Sequence, residues 1–225
     1  MASSWCTVCN RPDGKGKCDL YYSYWNPNEG WEIPVPLPGD INTGRWESQP
    51  SLGPDGRTIY FVRGENSLSA DMDVFVSTMG TDGNWSKGQK LPSSINSSER
   101  ESSPFIHFDG KTLYFRSERS PSLGGSDFFK CTRITDSTWS EAVNLGFPLN
   151  SFGEEFSLVI DKSGTFGYFA SDRGNEILPN YSRMSSLDLF RFELPLELQP
   201  EPRFNYDIVV YDSLTNVPLG NVSVQ

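Results

Sequence analysis

Short apolar runs separated by turn sequences extend along most of the chain. Residues 58–62 (TIYFV) and 73–77 (DVFVS) are rich in β-branched and aromatic residues, as strands are. The Pro-Asp-Gly tripeptide at 54–56 is typical of a turn, because proline presets φ and glycine tolerates a positive φ. With a shorter strand at 49–52 and a further one that opens at Trp85, the pattern predicts a four-stranded antiparallel sheet.

The same unit recurs every 54 residues along the chain. One tryptophan, one tyrosine and one turn glycine mark the period most clearly, and the tyrosine is followed each time by phenylalanine. The residues that define the repeat are Trp31, Trp85, Trp139, Tyr60, Tyr114, Tyr168, Gly56, Gly110 and Gly164. The same step links Glu47, Glu101 and Glu155, and also Asn42, Asn96 and Asn150. So many residue types at one spacing indicate an internal structural repeat.

Each copy of the repeat predicts one blade of a β-propeller. Adjacent rings such as Tyr60 and Phe61 lie on opposite faces of a strand, which suits a sheet covered on both sides. One such sheet cannot bury both faces alone, whereas stacked blades bury them against each other. We therefore predict an all-β propeller of four-stranded blades, with about four blades at 1–44, 45–98, 99–152 and 153–195, together 1–195.

Three segments depart from the repeat. The first copy lacks its opening strand, and the fourth carries an insertion at 175–185 with four apolar residues: Ile177, Leu178, Tyr181 and Met184. Loops on a fixed scaffold often carry function, so these four residues are the candidate partner contact; the alternative is a loop that packs on its own propeller. Residues 196–202 are interpreted as a linker and 203–225 as the start of a truncated β-sandwich. We expect the chain to be a segment of a longer protein.

Charge and composition exclude several partners. The formal net charge of −10 argues against nucleic acid, because phosphate binding needs a basic surface, and it disfavours anionic lipid as well. No run approaches 18 consecutive apolar residues, so no direct membrane span is expected. The first residues have neither a basic start nor an apolar stretch, so no signal peptide is visible, although one could lie upstream.

The four cysteines, Cys6, Cys9, Cys18 and Cys131, leave three alternatives. The Cys-x-x-Cys spacing of the first two suggests zinc, but a second close pair is missing, and the two would lie on opposite faces of a strand. A disulfide between Cys9 and Cys18 would flank one hairpin. Free or half-buried thiols are the expectation, and no metal ion or cofactor is predicted.

The recurring acids form no predicted catalytic pair. Glycoside hydrolysis needs two carboxylates that face one bond. Asp55, Asp109 and Asp161 recur with the blades, as the glutamates do, so we expect turn acceptors, strand caps and hydrogen bonds between blades. His107 is the only histidine, and no G-x-S-x-G elbow is present, so a surface or turn role is expected for it and no catalytic residue is predicted.

Two sets of motifs resemble a known family. The copies ESQPSLGPDGRTIYF and ESSPFIHFDGKTLYF resemble TolB-like (WD-repeat-like) β-propellers, over roughly residues 1–195. The spacers GNWSKGQKLPSSIN, EGWEIPVPLPGDIN and STWSEAVNLGFPLN are similar to those of OmpA-family envelope proteins, including the PorE-type component of type IX secretion. The tail YDIVVYDSLTNVPLGNVSVQ resembles the first strands of the carboxypeptidase-regulatory-like β-sandwich that follows such propellers.

The resemblance implies a non-enzymatic protein-binding or scaffolding module, periplasmic and associated with the outer membrane, in secretion or cell-envelope anchoring. Its partners would be other envelope proteins, and peptidoglycan would be bound only through an OmpA-type domain that is absent from this chain. Two rivals remain, because one fold hosts many functions. One is a carbohydrate-binding or glycan-processing propeller. The other is the propeller half of a serine peptidase, whose α/β hydrolase domain would follow where the tail here resembles a β-sandwich.

Overall fold

The computed structural model of the chain describes residues 3–66, 69–173 and 187–200, together with Tyr211, Thr215 and Val217. In this part the fold is nearly all β: it consists of fifteen strands and one 3-10 turn, Leu196–Leu198. No helix there is long and apolar enough to cross a membrane. The predicted contact residues Ile177, Leu178, Tyr181 and Met184, and nearly all of the predicted sandwich at 203–225, lie outside the described residues.

The strands follow the order that the repeat predicts and fall into four groups, which we call blades 1 to 4. Blade 1 contains β1 (Ser3–Cys9), β2 (Cys18–Asn26), β3 (Gly30–Trp31) and β4 (Val35–Pro36). Blade 2 contains β5 (Trp46–Leu52), β6 (Thr58–Gly64), β7 (Asp73–Thr78) and β8 (Gln89–Lys90). Blade 3 contains β9 (Glu101–Ile106), β10 (Thr112–Ser117), β11 (Asp127–Thr132) and β12 (Val143–Asn144). Blade 4 contains β13 (Glu155–Ile160), β14 (Phe166–Ser171) and β15 (Asp188–Glu193).

Consecutive strands pair in antiparallel fashion within blades 2, 3 and 4. In blade 1, β2 pairs with β1, β3 and β4, and a single parallel contact between Cys18 and Trp46 joins it to blade 2. Turn glycines Gly56, Gly110 and Gly164 have φ of 66°, 68° and 79°, as their predicted turns require. Among the described strands no pairing joins blade 2 to blade 3, blade 3 to blade 4 or blade 4 to blade 1.

The first strand of blades 2, 3 and 4 carries a bulge at the same repeat position. Gln49, Ser103 and Ser157 have φ of 54°, 49° and 54°, and the register against the second strand shifts there. A bulged residue is left out of the ladder, so its backbone groups are free to bond elsewhere. The Ser103 N–H donates to Oε1 of Gln49 in the preceding blade at 2.6 Å. This bulge therefore contributes a hydrogen bond between blades.

The outermost strand is shorter than the sequence predicts. The sequence predicts that Trp85 opens it; Trp85 forms an isolated antiparallel bridge to Met79 after the third strand, and β8 itself contains only Gln89–Lys90. Trp85 also joins blade 2 to blade 1: its N–H donates to the Pro38 carbonyl at 3.0 Å, and its carbonyl accepts from the Asp40 N–H at 2.9 Å. The tryptophan therefore contacts both blades, and the fourth strand is interrupted between Trp85 and Gln89.

The hydrophobic core lies between the blades. Tyr60 and Phe61 point to opposite faces of β6, and both are fully buried. Phe61 packs with Leu20 of blade 1, and Tyr60 packs with Ile106 of blade 3. Burying one such side chain contributes about 1.5–3 kcal/mol. Each internal blade is therefore stabilised by both neighbours, as the tyrosine–phenylalanine pairs predict.

Within the described residues, the fourth blade is covered on one face. Phe169 is buried and meets Phe128 of blade 3 edge-on at 5.7 Å between ring centroids. Tyr168, on the opposite face of β14, is 39% exposed. Tyr168 differs from Tyr60 and Tyr114 because none of the described strands covers that face of blade 4.

A buried asparagine completes the hydrogen bonding of one strand in each of blades 1, 2 and 3, namely β2, β7 and β11. Asn150 is fully buried; its Oδ1 accepts from the Phe128 N–H at 2.7 Å, and its Nδ2 donates to the Phe128 carbonyl at 3.0 Å. The equivalent pairs are Asn42 with Leu20 and Asn96 with Val74. Buried backbone groups need such partners, which explains the periodic asparagines.

A disulfide joins Cys9 and Cys18, which lie opposite each other on β1 and β2. The expectation of free thiols is wrong for this pair and correct for Cys6 and Cys131. The zinc alternative fails because Cys9 is already bonded. Sequence spacing left the question open because only the antiparallel register shows that the two side chains face each other.

Replacing Asn150 by alanine should lower the free energy of unfolding by about 2–4 kcal/mol, because it leaves buried backbone groups of Phe128 without partners. Urea unfolding followed by circular dichroism measures this loss. Asn84→Ala, at an exposed position, is the matched control and should change stability by less than about 0.5 kcal/mol. Equal effects of the two substitutions would contradict the proposed role of the asparagine.

Replacing both Cys9 and Cys18 by alanine should lower stability by about 2–3 kcal/mol, since the disulfide closes a short loop in the unfolded chain. Dithiothreitol should shift the urea midpoint of the wild-type chain in the same direction. Cys6→Ala is the control, because this thiol is free. An unchanged midpoint on reduction would show that the bridge does not stabilise the fold.

Candidate functional site

The recurring glutamates lie inside the blades. Glu47, Glu101 and Glu155 are all fully buried. In each case a hydroxyl four residues earlier donates to the carboxylate: Thr43 at 2.5 Å, Ser97 at 2.6 Å and Ser151 at 2.6 Å. Burial raises the pKa of Glu155 above its usual value, against the hydrogen bond from Ser151 and the charge of Arg173. These carboxylates therefore act as acceptors for the connection between blades.

An arginine neutralises each of these glutamates, and sequence reasoning missed it. Arg63 Nε lies 2.7 Å from Glu47, Arg119 Nη2 lies 3.2 Å from Glu101, and Arg173 Nη2 lies 2.8 Å from Glu155. Each guanidinium also lies over two phenylalanine rings, for example Phe61 and Phe75 at 5.3 and 4.8 Å for Arg63. Only Arg119 and Arg173 keep the 54-residue spacing, so the period gave a partial signal; Arg63 supplies the same group from β6 itself.

The recurring aspartates are turn acceptors, as expected. Asp109 accepts from the N–H groups of Lys111 and Thr112, both at 2.8 Å, and from the Thr112 hydroxyl at 2.6 Å. Asp55 and Asp161 accept equivalent bonds in their own turns. Burial of Asp109 opposes ionisation, but these hydrogen bonds from Thr112 and Lys111 outweigh it and hold the pKa of Asp109 well below 3.8.

His107 is buried, so the expected surface position is wrong and the turn role is correct. Its Nε2 lies 2.9 Å from the Asp161 carbonyl and donates to it, because a carbonyl can only accept. Its Nδ1 accepts from the Asp109 N–H at 3.1 Å. The histidine therefore connects the turn of blade 3 to blade 4. Its sequence position beside a turn gave no sign of the neighbouring blade that buries it.

A small crevice of about 240 Å³ opens between blades 2 and 3. It is lined by Gly53, Pro54, Asp55, Thr58, Tyr60, Ile106, Gly110 and Arg133. The Arg133 guanidinium donates to the Tyr60 hydroxyl and lies 5.2 Å from the Trp139 ring centre. The Arg133 Nε is buried without a hydrogen-bond partner. We call this site the blade 2–3 crevice. Its polar groups include hydrogen-bond donors on Tyr60 and Arg133 and the carboxylate of Asp55.

An exposed aromatic pair lies on blade 1. Trp25 and Trp31 face each other across β2 and β3, with ring centroids 5.4 Å apart in an edge-to-face arrangement. Trp31 is 52% exposed, whereas Trp85 and Trp139 at the same repeat position are 2% and 8% exposed. Trp85 and Trp139 contact the preceding blade, at Gly39 and Tyr60. Trp31 belongs to the first described blade, so no preceding described blade packs against it. The repeat predicted its position but not its exposure.

Comparison with known proteins identifies the fold. No family model matches the chain, and no curated protein matches its sequence. The chain resembles TolB from Acinetobacter baumannii, with 13% identity, a TM-score of 0.52 and coverage of 85% of this chain and 39% of that one. It resembles TolB from Agrobacterium tumefaciens, with 15% identity, a TM-score of 0.50 and coverage of 79% and 53%. It also resembles α-L-arabinofuranosidase from Lactobacillus brevis, with 8% identity, a TM-score of 0.55 and coverage of 96% and 70%.

These similarities support a TolB-like β-propeller fold. At such low identities the likeness concerns the fold alone. The chain spans 39% and 53% of the lengths of the two TolB structures. Similarity to OmpA-family proteins and to the PorE-type component stays a prediction from the motifs.

Replacing Asp109 by asparagine should lower stability by about 1–3 kcal/mol near pH 6.5, because the Thr112 hydroxyl loses its acceptor. The pKa of Asp109 is lowered in the folded protein, so its stabilising contribution is present above 3.8 and is lost as the pH falls below that value. The difference between wild type and variant should therefore shrink between pH 5 and pH 2.5 in urea unfolding. Asp136→Asn, at an exposed position, is the control. A difference that stays constant over this range would contradict the assignment.

Proposed function

We propose that the chain is a non-enzymatic protein-binding or scaffolding module of the bacterial envelope, periplasmic and associated with the outer membrane. The observation that carries the proposal is the TolB-like propeller fold, and the exposed pair Trp25 and Trp31 is the first candidate contact to test. Tryptophan is enriched among the residues that dominate protein interfaces, because it supplies a large contact area with few rotatable bonds. An exposed tryptophan pair on a rigid sheet is thus a candidate contact for another envelope protein.

Two further observations support the envelope location. The Cys9–Cys18 disulfide suits an oxidising compartment such as the periplasm. The TolB-like fold agrees with the motifs that resemble envelope propellers. On those motifs we propose a role in secretion or in cell-envelope anchoring, similar to that of OmpA-family proteins of the PorE type.

The use of the recurring acids supports a binding role over a catalytic one. Catalytic carboxylates have to reach a substrate. Glu47, Glu101 and Glu155 are instead buried and held by arginines, and the recurring aspartates close turns. We propose that none of them is catalytic. The insertion at 175–185, with Ile177, Leu178, Tyr181 and Met184, remains our second proposed partner contact.

A carbohydrate-binding propeller is the alternative function. Exposed indole rings such as those of Trp25 and Trp31 offer the apolar faces on which sugar rings can stack. The chain also shares its fold with an α-L-arabinofuranosidase, which is a glycosidase, although that likeness concerns the fold alone. Under this alternative the tryptophan pair would stack against a sugar ring and would not contact a protein.

Affinity capture from detergent-solubilised envelope, followed by mass spectrometry, tests the proposal. The wild-type chain should retain a defined set of envelope proteins. The double variant Trp25→Ala, Trp31→Ala should retain at least about tenfold less of them, because a tryptophan at an interface centre commonly contributes about 2 kcal/mol or more. A deletion of residues 175–185 tests the second contact in the same assay.

Phe152→Ala is the matched control, since Phe152 is an exposed aromatic residue on another blade. It should capture the same proteins as the wild type. Retention of glycans alone, lost in the tryptophan double variant, would favour the carbohydrate alternative. Retention of the same proteins by all variants would remove the tryptophan pair as the binding surface.

A further inference from the structure

The blade 2–3 crevice has a counterpart one blade further along the chain, and that counterpart is occupied. Tyr60, Ile106 and Gly110 line the open crevice. Advancing each by one repeat gives Tyr114, Ile160 and Gly164 between blades 3 and 4. There the crevice is filled by the segment Leu194–Pro200 of this same chain. We call this segment the plug.

The contacts of the plug show how a peptide occupies such a crevice. The Tyr114 hydroxyl donates to the Leu198 carbonyl at 2.8 Å. The Leu198 side chain is buried in the same hydrophobic cluster as Tyr114 and Ile160. Pro200 lies against Gly164, where a Cβ would come within 2.7 Å of the proline ring. The crevice therefore accepts a leucine side chain, a backbone carbonyl and a proline.

One position changes the chemistry of the open crevice. The Arg133 N–H donates to the Lys111 carbonyl, and the Leu194 N–H donates to the Thr165 carbonyl in the same way. Because Lys111 and Thr165 are one repeat apart, Arg133 and Leu194 occupy equivalent places. The apolar residue that closes the filled crevice is thus an arginine in the open one, with its Nε buried and unpartnered.

The donors of the open crevice fit a peptide that carries a carboxylate. The Tyr60 hydroxyl accepts from Arg133, so its own proton is available for a ligand carbonyl, as that of Tyr114 is used for Leu198. The Arg133 guanidinium favours a carboxylate. Asp55 also lines the crevice, and its negative charge offsets part of that attraction, so a small anion alone should bind weakly.

We propose that the blade 2–3 crevice binds a short peptide segment of a partner protein, with a leucine and a proline placed as in the plug and an acidic side chain that meets Arg133. This inference rests on the proposed protein-binding function and names the chemistry of one contact. It concerns a different surface from the tryptophan pair of blade 1.

Fluorescence polarisation with the labelled synthetic peptide PLELQP tests the proposal on the full chain. This peptide is the plug without Leu194, whose place Arg133 occupies in the open crevice, and it keeps one acidic side chain, Glu197. Saturable binding to the wild type is expected. Tyr60→Phe removes one hydroxyl and should weaken binding by about two- to tenfold, and Arg133→Gln should weaken it by about tenfold or more. Thermal unfolding of each variant shows whether its fold is retained.

Tyr114→Phe is the matched control, because it removes the equivalent hydroxyl from the filled crevice. It should leave peptide binding unchanged and reduce stability slightly. If this variant weakens binding while Tyr60→Phe does not, the peptide exchanges with the plug and the proposal is wrong. Absence of binding up to millimolar peptide, equal binding of a scrambled peptide, or equal competition by acetate would also overturn it.

The capture experiment separates this inference from the proposed function. If Arg133→Gln and Tyr60→Phe leave the capture of envelope proteins unchanged and no peptide binds, the proposed crevice site is wrong. The proposed protein-binding function is then still supported. If the peptide binds specifically but no envelope protein is captured, the crevice site is supported and the scaffold proposal is contradicted.

Discussion

The burial of the second strand of blades 2 and 3 between two neighbouring blades is the constraint on which the rest of the structure depends. Tyr60 and Phe61 are both buried only because blade 1 covers one face of β6 and blade 3 covers the other. The hydrophobic gain is roughly proportional to the apolar area removed from water, so each added neighbour stabilises a sheet that would be marginal alone. This is why the 54-residue period is so regular in its aromatic positions.

Stacking on both faces excludes water, and the polar groups inside the stack must therefore find protein partners. The asparagine and glutamate positions answer this requirement once per repeat. Asn150 accepts a hydrogen bond from the backbone of Phe128 in β11. Glu155 accepts one from the Ser151 hydroxyl and forms an ion pair with Arg173. A buried carboxylate without its guanidinium would strongly destabilise the fold, which explains why each of these glutamates is paired with an arginine. The same need explains why Arg63 supplies the group in blade 2 although its chain position differs.

The surfaces available for binding lie where this periodic arrangement is interrupted. Arg133 occupies the place that Leu194 fills one blade later, and the crevice beside it is open. Sites that differ from their counterparts can contact a partner, because identical sites are already used to hold the blades together.

The sequence by itself determined the all-β class, the repeat and the strand order, because alternation, turn residues and period are local properties of the chain. It also indicated the roles of Asp55 and Asp109, since an aspartate beside a turn glycine bonds its own backbone. Only the tertiary structure decided the Cys9–Cys18 pairing, the burial of His107 and the exposure of Trp31. Each of these depends on strand register or on whether another blade lies opposite, and residues distant in the chain set both.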